Sequence, residues 1–516
     1  MAKTLTFTDV PQPTSPSASA VAGGSLAAST TYYYRVIKVY NAAAGNAWWG
    51  KSLPSDEFSV TTDATNKTAR ITFTCTDTSG SYRIFRSTTS EGYNGVYMSC
   101  IAFYPTDALY NTAGTVTFDD TGYALGGNNY YESDDLAHGR LVLSGSSSGD
   151  QFSIKDLYDA DVAGGWGVIH RLDANTFKVN CFLVGDSGQY WTDYEKTIIL
   201  ADGMLNPGRW TLGKISGDNN TSAGCNIIIR STWLGNQTWT SLTAYRTNFI
   251  YLYPKNSSGN DITTGLGLTG GGFDLGLLHD CTVDRFRNFL PRAGTTVFNT
   301  IFSRFDNLFS NSAATFDTVK LLSGSRVWQI SGGTTHITGR GVYTESTNIV
   351  LIVNAAGSSL TIIDSISDGG ILVSGTADQT GFMLYDQISY NLNVTDDNED
   401  PLENVSVKIY NKNDTLVVDE LTDVDGNIDE QFITRRDRTV DNTTVQPFVE
   451  YSPFTVIVSK PGYETYQEII SYDISEPVVK TLELKKQVPV MIDTQTGGIK
   501  VKANPENYGK DRDVIL

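Results

Sequence analysis

The sequence is poor in the residues that build redox, metal and nucleic-acid sites. Its 516 residues include only five cysteines and four histidines. No cysteines form a Cys-x-x-Cys pair and their number is odd, so buried free thiols are expected rather than a disulfide framework or a metal site. Basic residues number 38 against 57 acidic ones, which gives a net charge of −19. Such a chain repels phosphate backbones, so nucleic-acid binding is disfavoured, and no cofactor is expected.

Long apolar runs are missing as well. The apolar stretches, such as the one from Ile349 to Val353, are far too short to span a bilayer. No run of apolar residues at helical spacing stands out. The first residues carry no basic flank followed by a long apolar core, so no signal peptide and no membrane insertion are expected.

The residues that are abundant favour β structure. The chain has 48 glycines, 27 tyrosines and 22 phenylalanines, and its short apolar stretches are interrupted by Gly, Asn and Asp. This composition is typical of many short strands joined by tight turns, so the sequence predicts an all-β fold. The length predicts several domains. The expected divisions are a β-sandwich at 1–122, a linker at 123–134, a solenoid at 135–390, a second β-sandwich at 391–486 and an extended tail at 487–516.

Four motifs lie in the first region. They are Thr30–Val36, Lys51–Ser55, Ser81–Ser87 and Phe118–Gly122. Together they resemble a fibronectin type III-like module whose strand order is circularly rearranged. The resemblance implies an immunoglobulin-like β-sandwich that serves as a spacer or adhesion unit.

An aromatic pair interrupts this module. Trp48 and Trp49 lie between the first two motifs, in the loop from Asn41 to Lys51. Exposed aromatic rings there could stack on a sugar or pack against a neighbouring domain or subunit. Both tryptophans are therefore candidate interface or glycan contacts.

The middle region contains a local repeat. The segment Asp280–Phe289 aligns with Asn299–Leu308, 19 residues further on, and Asp317–Leu321 follows 18 residues after the start of the second segment. Fixed spacing of this length is typical of a stacked solenoid, in which Phe286 is expected to lie over Phe305 in the core. The pattern resembles the right-handed parallel β-helix of phage tailspikes and pectate-lyase-like proteins. A β-sandwich with insertions is the alternative.

A β-helix raises the question of polysaccharide cleavage, which needs two carboxylates roughly 5 to 9.5 Å apart in a sugar-sized groove. Acidic residues are common throughout the chain and no pair is marked out by its spacing, so we expect no enzymatic activity. Trp191, near several of these acids, is a further candidate interface or glycan contact. The acidic candidates are Asp280, Asp284 and Asp306 in the repeat, and Asp186, Asp193 and Glu195 near Trp191.

Four further motifs follow in residues 391–486. They are Val394–Asp396, Pro401–Ile409, Thr422–Ile428 and Phe454–Tyr463. In this order they resemble a carboxypeptidase-regulatory-like (transthyretin-like) domain, which implies a non-catalytic β-sandwich. Within the third motif, Asp425-Gly426 is a hairpin signal, although the surrounding acids also resemble half a calcium loop.

An insert and a tail depart from this domain pattern. The insert from Thr434 to Ser452 predicts an extended hairpin or contact arm, with Phe448 and Tyr451 as candidate interface or glycan contacts. The tail 487–516 could form one hairpin around Gly497-Gly498 and dock on a neighbouring subunit.

The combination of these modules resembles virion structural proteins of tailed bacteriophages. It implies a tail-associated fibre, spike or adaptor that takes part in host attachment, located in the virion and made in the host cytoplasm. The alternatives are a capsid-surface decoration protein or head fibre, a polysaccharide-degrading tailspike and a bacterial surface adhesin. The expected partners are other phage structural proteins, further copies of the chain, with a trimer implied by the resemblance, and host surface polysaccharide.

Overall fold

The chain folds almost entirely into β-strands, as the sequence predicts, and forms two compact units. The first comprises Met1–Ile337, Tyr343–Ala355 and Ser367–Ala377, and the second Thr338–Val342, Ala356–Ile366 and Asp378–Leu516. The computed structural model describes residues 3–40, 50–76, 81–90, 98–103, 114–123, 130–131, 138–145, 151–185, 190–201, 204–205, 209–213, 224–229, 239–251, 273–284, 287–289, 291–303, 306–310, 315–322, 328–331, 336–344, 350–353, 357–367, 373–375, 381–441, 444–471, 478–487, 490–492 and 499–501.

The first unit begins with one added strand and a β-sandwich. The sandwich has one sheet in the order β2-β6-β9 and a second in the order β10-β8-β7-β3-β4, with β5 also paired to β3. The strands are β1 Thr4–Thr8, β2 Thr14–Val21, β3 Thr31–Tyr40, β4 Gly50–Lys51, β5 Phe58–Thr61, β6 Thr68–Cys75, β7 Ser81–Ser87, β8 Met98–Phe103, β9 Gly114–Asp120 and β10 Tyr130–Tyr131.

The sandwich core comes from strands that alternate buried and exposed residues. Tyr34 and Val36 on β3 face Ile71 and Phe73 on β6, and all four are fully buried. Alternation of period two places these side chains on one face of each sheet, which confirms the predicted β-sandwich. Cys75 lies in the same core as a free thiol, and Cys181, Cys225 and Cys281 are buried free thiols elsewhere, as expected.

A buried carboxylate ties the two sheets of this sandwich together. Asp120 accepts the hydroxyl of Tyr34 at 2.9 Å and a guanidinium N–H of Arg86 at 2.7 Å. It also accepts the backbone N–H of Gly122 at 3.0 Å, at the turn that follows β9. Because Asp120 is completely buried, its charge is compensated by these three donors rather than by water.

The rest of the first unit is a solenoid, and some of its strands extend into the second unit. The elements are β11 Arg140–Ser144, β12 Gln151–Phe152, α1 Ile154–Gly164, β13 Ile169–Arg171, β14 Thr176–Val179, β15 Phe182–Gly185, β16 Tyr190–Asp193, β17 Thr197–Leu200, β18 Met204–Leu205, β19 Arg209–Leu212, β20 Cys225–Ile229, β21 Trp239–Tyr245, β22 Thr247–Tyr251, β23 Phe273–His279, β24 Thr282–Asp284, β25 Arg287–Phe289, β26 Pro291–Phe298, β27 Ile301–Ser303, β28 Asp306–Ser310, β29 Thr315–Asp317, β30 Lys320–Leu322, β31 Trp328–Ser331, β32 His336–Arg340, β33 Tyr343–Thr344, β34 Val350–Val353, β35 Ser359–Ile363, β36 Ile366–Ser367 and β37 Val373–Gly375.

Each coil of the solenoid contributes one strand to each of several parallel sheets. Within the first unit, one sheet runs β12-β16-β19-β21-β23-β26-β29, and a second runs β14-β17-β20-β22-β24-β27-β30-β33. A third side is formed by β11-β15-β18 in the early coils and by β25-β28-β31-β34-β37 in the later ones. This topology is a parallel β-helix, as predicted for the region. A continuous buried ladder runs through the second sheet: Phe177, Ile198, Ile227, Phe249, Val283, Phe302 and Leu321.

The strand register confirms the 19-residue repeat and shows that the spacing between its second and third segments is longer than the sequence alignment indicates. Val283 pairs with Phe302, as the alignment predicts. Phe302 then pairs with Leu321, so the third segment also follows after 19 residues rather than the 18 read from the sequence. Phe286 and Phe305 lie outside the described residues, so their predicted stacking stays a prediction.

One left-handed residue forms the corner between the first and second sheets in successive coils. Arg246, Asp280, Asn299 and Thr318 have φ angles of 46°, 56°, 43° and 55°. The backbone N–H groups of the first three donate to the coil that follows; for example, Asn299 N donates to the carbonyl oxygen of Asp317 at 2.9 Å. Asn and Asp tolerate this conformation better than most residues, which explains their presence at two of these corners.

The first coil is covered by the helix and by the N-terminal strand. Helix α1 begins with a capping box between Ser153 and Asp156, and it buries Ile154 and Leu157. Strand β1 pairs antiparallel with β11, so it extends a sheet of the solenoid and not a sheet of the sandwich, although it lies within the division predicted at 1–122. The pairing covers the open edge of the first coil, which would otherwise expose unpaired backbone groups.

The second unit contains another β-sandwich. Its sheets have the orders β41-β38-β46 and β40-β39-β44-β45, and they enclose a core that includes Val394, Val407 and Phe454. The strands are β38 Phe382–Thr395, β39 Ser406–Tyr410, β40 Leu416–Leu421, β41 Gln431–Asp441, β42 Thr444–Val445, β43 Val449–Glu450, β44 Phe454–Ser459, β45 Tyr466–Ile470, β46 Val478–Glu483, β47 Val490–Ile492 and β48 Ile499–Val501.

One predicted turn and one predicted strand pairing of this unit are present. Asp425-Gly426 turns as expected, with Gly426 at φ 77°, and the Asp423 carboxylate accepts the backbone N–H of Asp425 and of Asn427 at 3.0 and 2.8 Å. The Asp423 carboxylate therefore stabilises the turn. In the tail, β47 and β48 form an antiparallel hairpin at the predicted place.

We predict that Asp120 stabilises the first sandwich far more than its neighbour Asp119 does. Asp120→Ala leaves Arg86 and Tyr34 without their buried partner, which we expect to cost about 3 to 5 kcal/mol. Asp119→Ala is the matched control, because this residue forms an exposed ion pair with Arg70 and exposed pairs contribute little. Hydrogen exchange of the β3 and β9 amides measures the stability that each variant loses. Equal protection in the two variants would contradict the prediction.

Candidate functional site

The candidate contact residues have different environments. Trp48 and Trp49 lie outside the described residues. Trp191 is only 1% exposed, so its prediction as a surface contact is corrected. It pairs in register with Phe152 of β12 and with Trp210 of β19, and its side chain is buried in the solenoid core.

Asp193 is a buried carboxylate in the same part of the core. It occupies the position held by Leu212 in the next coil, and it accepts the backbone N–H of Ile154 at 3.0 Å and the indole N–H of Trp191. Burial is the main cause that raises the pKa of Asp193 to about 7. The residue thus caps the first turn of α1 from inside the core, where no substrate reaches it.

The other described acidic candidates are used at coil corners or between strands. Asp280 accepts the side-chain amide of Asn299 at 2.5 Å and lies 3.1 Å from His279. Asp284 accepts the hydroxyl of Ser303 at 2.7 Å. Glu195 forms a left-handed corner. These roles stabilise the stacking of coils; Asp186 lies outside the described residues.

The insert after Thr434 forms the extended hairpin that the sequence predicts. Strand β41 pairs antiparallel with β42 and with β43, and Arg436 lies opposite Glu450. Phe448 precedes β43 and is half-buried, with the guanidinium carbons of Arg436 and Arg438 each 4.3 Å from its ring centroid. Phe448 therefore anchors the hairpin through two cation–π contacts.

A β-bulge in β41 directs two consecutive arginines to one carboxylate. Asp386 pairs with Arg436 while Gln387 pairs with Thr434, so Arg435 is the additional residue of the bulge. Both arginines donate their Nε–H groups to the completely buried Asp386 at 2.8 Å. In the sequence, only the arginine-rich run Arg435–Arg438 marks this bulge. The shared partner, Asp386, is distant along the chain, so the sequence does not indicate the ion pairs.

Tyr451 borders an open groove beside this bulge. Its hydroxyl donates to Asp437 Oδ2 at 3.0 Å, and its backbone N–H donates to the carbonyl oxygen of Arg435 at 2.8 Å. Partial burial and the hydrogen bond to Asp437 raise the pKa of Tyr451. The groove has a volume of about 310 Å³, and the residues that line it include Asn411, Val417, Phe432, Thr434, Asp437 and Tyr451.

The groove combines an exposed aromatic ring with several hydrogen-bonding groups, which is the chemistry of a binding site. Phe432 is 47% exposed. Among the described residues, no three His, Cys, Asp or Glu side chains come together to hold a metal ion. Within the same residues, no helix combines the length and apolar content needed to span a membrane.

Neither a scan against models of known protein families nor a search of curated proteins finds a match for the chain.

We predict that Asp193 makes the solenoid less stable as the pH rises from about 4 to about 7. Because its folded pKa is raised, the folded state keeps a proton that the unfolded state releases, so the free energy of unfolding falls through this range. At about 1.4 kcal/mol per unit of pKa, the loss is on the order of 4 kcal/mol.

Asp193→Asn tests this pH dependence, since the amide oxygen still accepts hydrogen bonds but does not ionise. Denaturant unfolding between pH 4 and 8 should show a flatter stability profile for this variant. Asp159→Asn, on the exposed face of α1, is the control and should follow the unsubstituted protein. Parallel profiles for Asp193→Asn and the unsubstituted protein would show that burial of Asp193 has no such effect.

Proposed function

We propose that the chain is a non-catalytic structural component of a tailed phage particle, namely a tail-associated fibre, spike or adaptor that takes part in host attachment. The observation that carries the proposal is the parallel β-helix, built on a continuous buried ladder with a left-handed corner in successive coils. Main-chain hydrogen bonds join each coil to the next, which makes a stiff scaffold suited to a particle that survives outside a cell.

The described carboxylates make structural contacts, which supports a binding role for the chain over a catalytic one. Asp193 is buried in the core, and Asp386 forms ion pairs with two arginines. Asp280 accepts a hydrogen bond at a corner between two coils. Glycoside hydrolysis requires a pair of carboxylates that face each other across an accessible groove. The groove beside Tyr451 has a single described carboxylate, that of Asp437.

The β-sandwiches support the same proposal. Sandwich modules of this kind act as spacers and adhesion units in many proteins, so their presence beside a β-helix fits an attachment part. Exposed apolar side chains on the second unit, among them Ile469 and Val479, offer surface for contacts with other virion proteins or with further copies of the chain.

We predict that the chain is present in purified particles and is located on the tail. Mass spectrometry of density-purified particles should detect it in stoichiometric amounts, and gold-labelled antibodies should mark the tail in electron micrographs. An antibody against the major capsid protein provides the control for accessibility and position. Absence from the particles, or labelling confined to the head, would contradict the proposed placement.

We also predict that the chain self-associates, most simply as the trimer that the phage resemblance implies, and that the tail 487–516 contributes. Light scattering of the full chain should give an oligomer mass, and deletion of residues 487–516 should lower it. Val479→Ser, on the exposed face of β46, tests a second contact surface. A monomer unaffected by either change would show that the chain does not self-associate.

A further inference from the structure

We infer that the groove lined by Phe432, Asp437 and Tyr451 binds a neutral sugar residue of a cell-surface polysaccharide. This inference rests on the proposed role in host attachment and assigns the ligand class and its location to the second unit. The inference comes from three properties of the groove, which are a fixed aromatic ring, convergent hydrogen-bonding groups and the sign of its charge.

The aromatic surface is exposed but held in place. Phe432 is 47% exposed, whereas its neighbour on β41, Ile433, is buried in the core of the sandwich. The guanidinium of Arg340 lies 5.7 Å from the ring centroid, and Arg340 is held in turn by an ion pair with Glu430. A ring fixed in this way offers a flat apolar surface to the C–H face of a sugar at a small cost in side-chain entropy.

Polar groups converge on the same groove. The Asp437 carboxylate uses Oδ2 to accept the Tyr451 hydroxyl, and a carboxylate has about four acceptor sites, so it can also accept sugar hydroxyls. Asn411, which also lines the groove, uses its Oδ1 to accept the backbone N–H of Asn413 and of Thr415, so its Nδ2 group is the part of the side chain that can donate to a ligand. A donor and an acceptor beside an apolar ring match a polyhydroxylated ligand.

The charge and size of the groove select among ligands. Asp437 is the charged side chain among the described residues that line the groove, and Arg340, which contacts Phe432, is already paired with Glu430, so the lining favours neutral over acidic sugars. The net charge of −19 acts in the same direction. A volume of about 310 Å³ lies at the lower end of the range for ligand pockets, which suits one or two sugar rings better than a folded partner.

Calorimetry and saturation-transfer NMR of the full chain test the assignment. The probes are oligosaccharides prepared from dextran, mannan and galactan, with oligogalacturonate as the acidic comparison and the purified host polysaccharide as the natural candidate. We expect at least one neutral probe or the host polysaccharide to bind. Phe432→Ala and Asp437→Asn should each weaken this binding at least tenfold.

Matched variants separate loss of the site from loss of the fold. Val449→Ala lies on the same hairpin, is 52% exposed and does not line the groove, so it should leave the affinity unchanged. Asp437→Asn keeps an acceptor for the Tyr451 hydroxyl, so the domain should melt as before. In hydrogen-exchange measurements, the bound sugar should protect residues 431–437 in the unsubstituted chain.

Three outcomes would overturn the inference. These are unchanged affinity in Phe432→Ala, preference for oligogalacturonate over every neutral probe, and absence of binding to any neutral probe and to the host polysaccharide. Self-association that depends on Phe432, without sugar binding, would assign the groove to a second copy and overturn it as well. A chain found on the tail that binds no sugar contradicts this inference alone, whereas absence from particles contradicts the proposed function.

Discussion

The stacking register of the solenoid coils is the constraint on which the first unit depends. In a parallel β-helix, a residue contacts its equivalent in the coils above and below, so a one-residue slip would turn every inward side chain outward. The chain holds its register at the corners, where single left-handed residues such as Asp280 and Asn299 donate their backbone N–H groups to the next coil. The buried ladder from Phe177 to Leu321 therefore depends on the hydrogen bonds at the corners, which fix the register, as well as on the burial of apolar side chains.

A comparable constraint positions the groove of the second unit. Strand β38 pairs with β35 and β41 along its first half and with β46 along its second half. The bulge at Arg435 interrupts the β41 pairing and allows Arg435 and Arg436 to neutralise Asp386. The ion-paired bulge lies directly before Asp437, so the buried charge cluster and the exposed groove are parts of one local arrangement.

The sequence predicts what depends on local pattern and misses what depends on distant partners. Alternation in β3, the near-19-residue repeat and the Asp425-Gly426 turn are local, and they indicate the all-β class, the solenoid and the hairpin correctly. The burial of Trp191 depends on coils that precede and follow it, and the Arg435 bulge depends on Asp386, 49 residues earlier. The sequence does not predict the groove: Tyr451 is a candidate contact, but Phe432 and Asp437 carry no pattern of their own.

The pairing of β1 with β11 gives the first sandwich the topology of an inserted module. Just after β1, Asp9 contacts His138 at 2.8 Å across 129 residues of chain, so the segment between them leaves the solenoid and returns to almost the same place. The entropic cost of closing such a loop grows only slowly with its length. The stability of the β1–β11 pairing therefore depends little on the size of the inserted module. An exchange of the module would thus change the domain that the solenoid carries while the first coil kept its own strands.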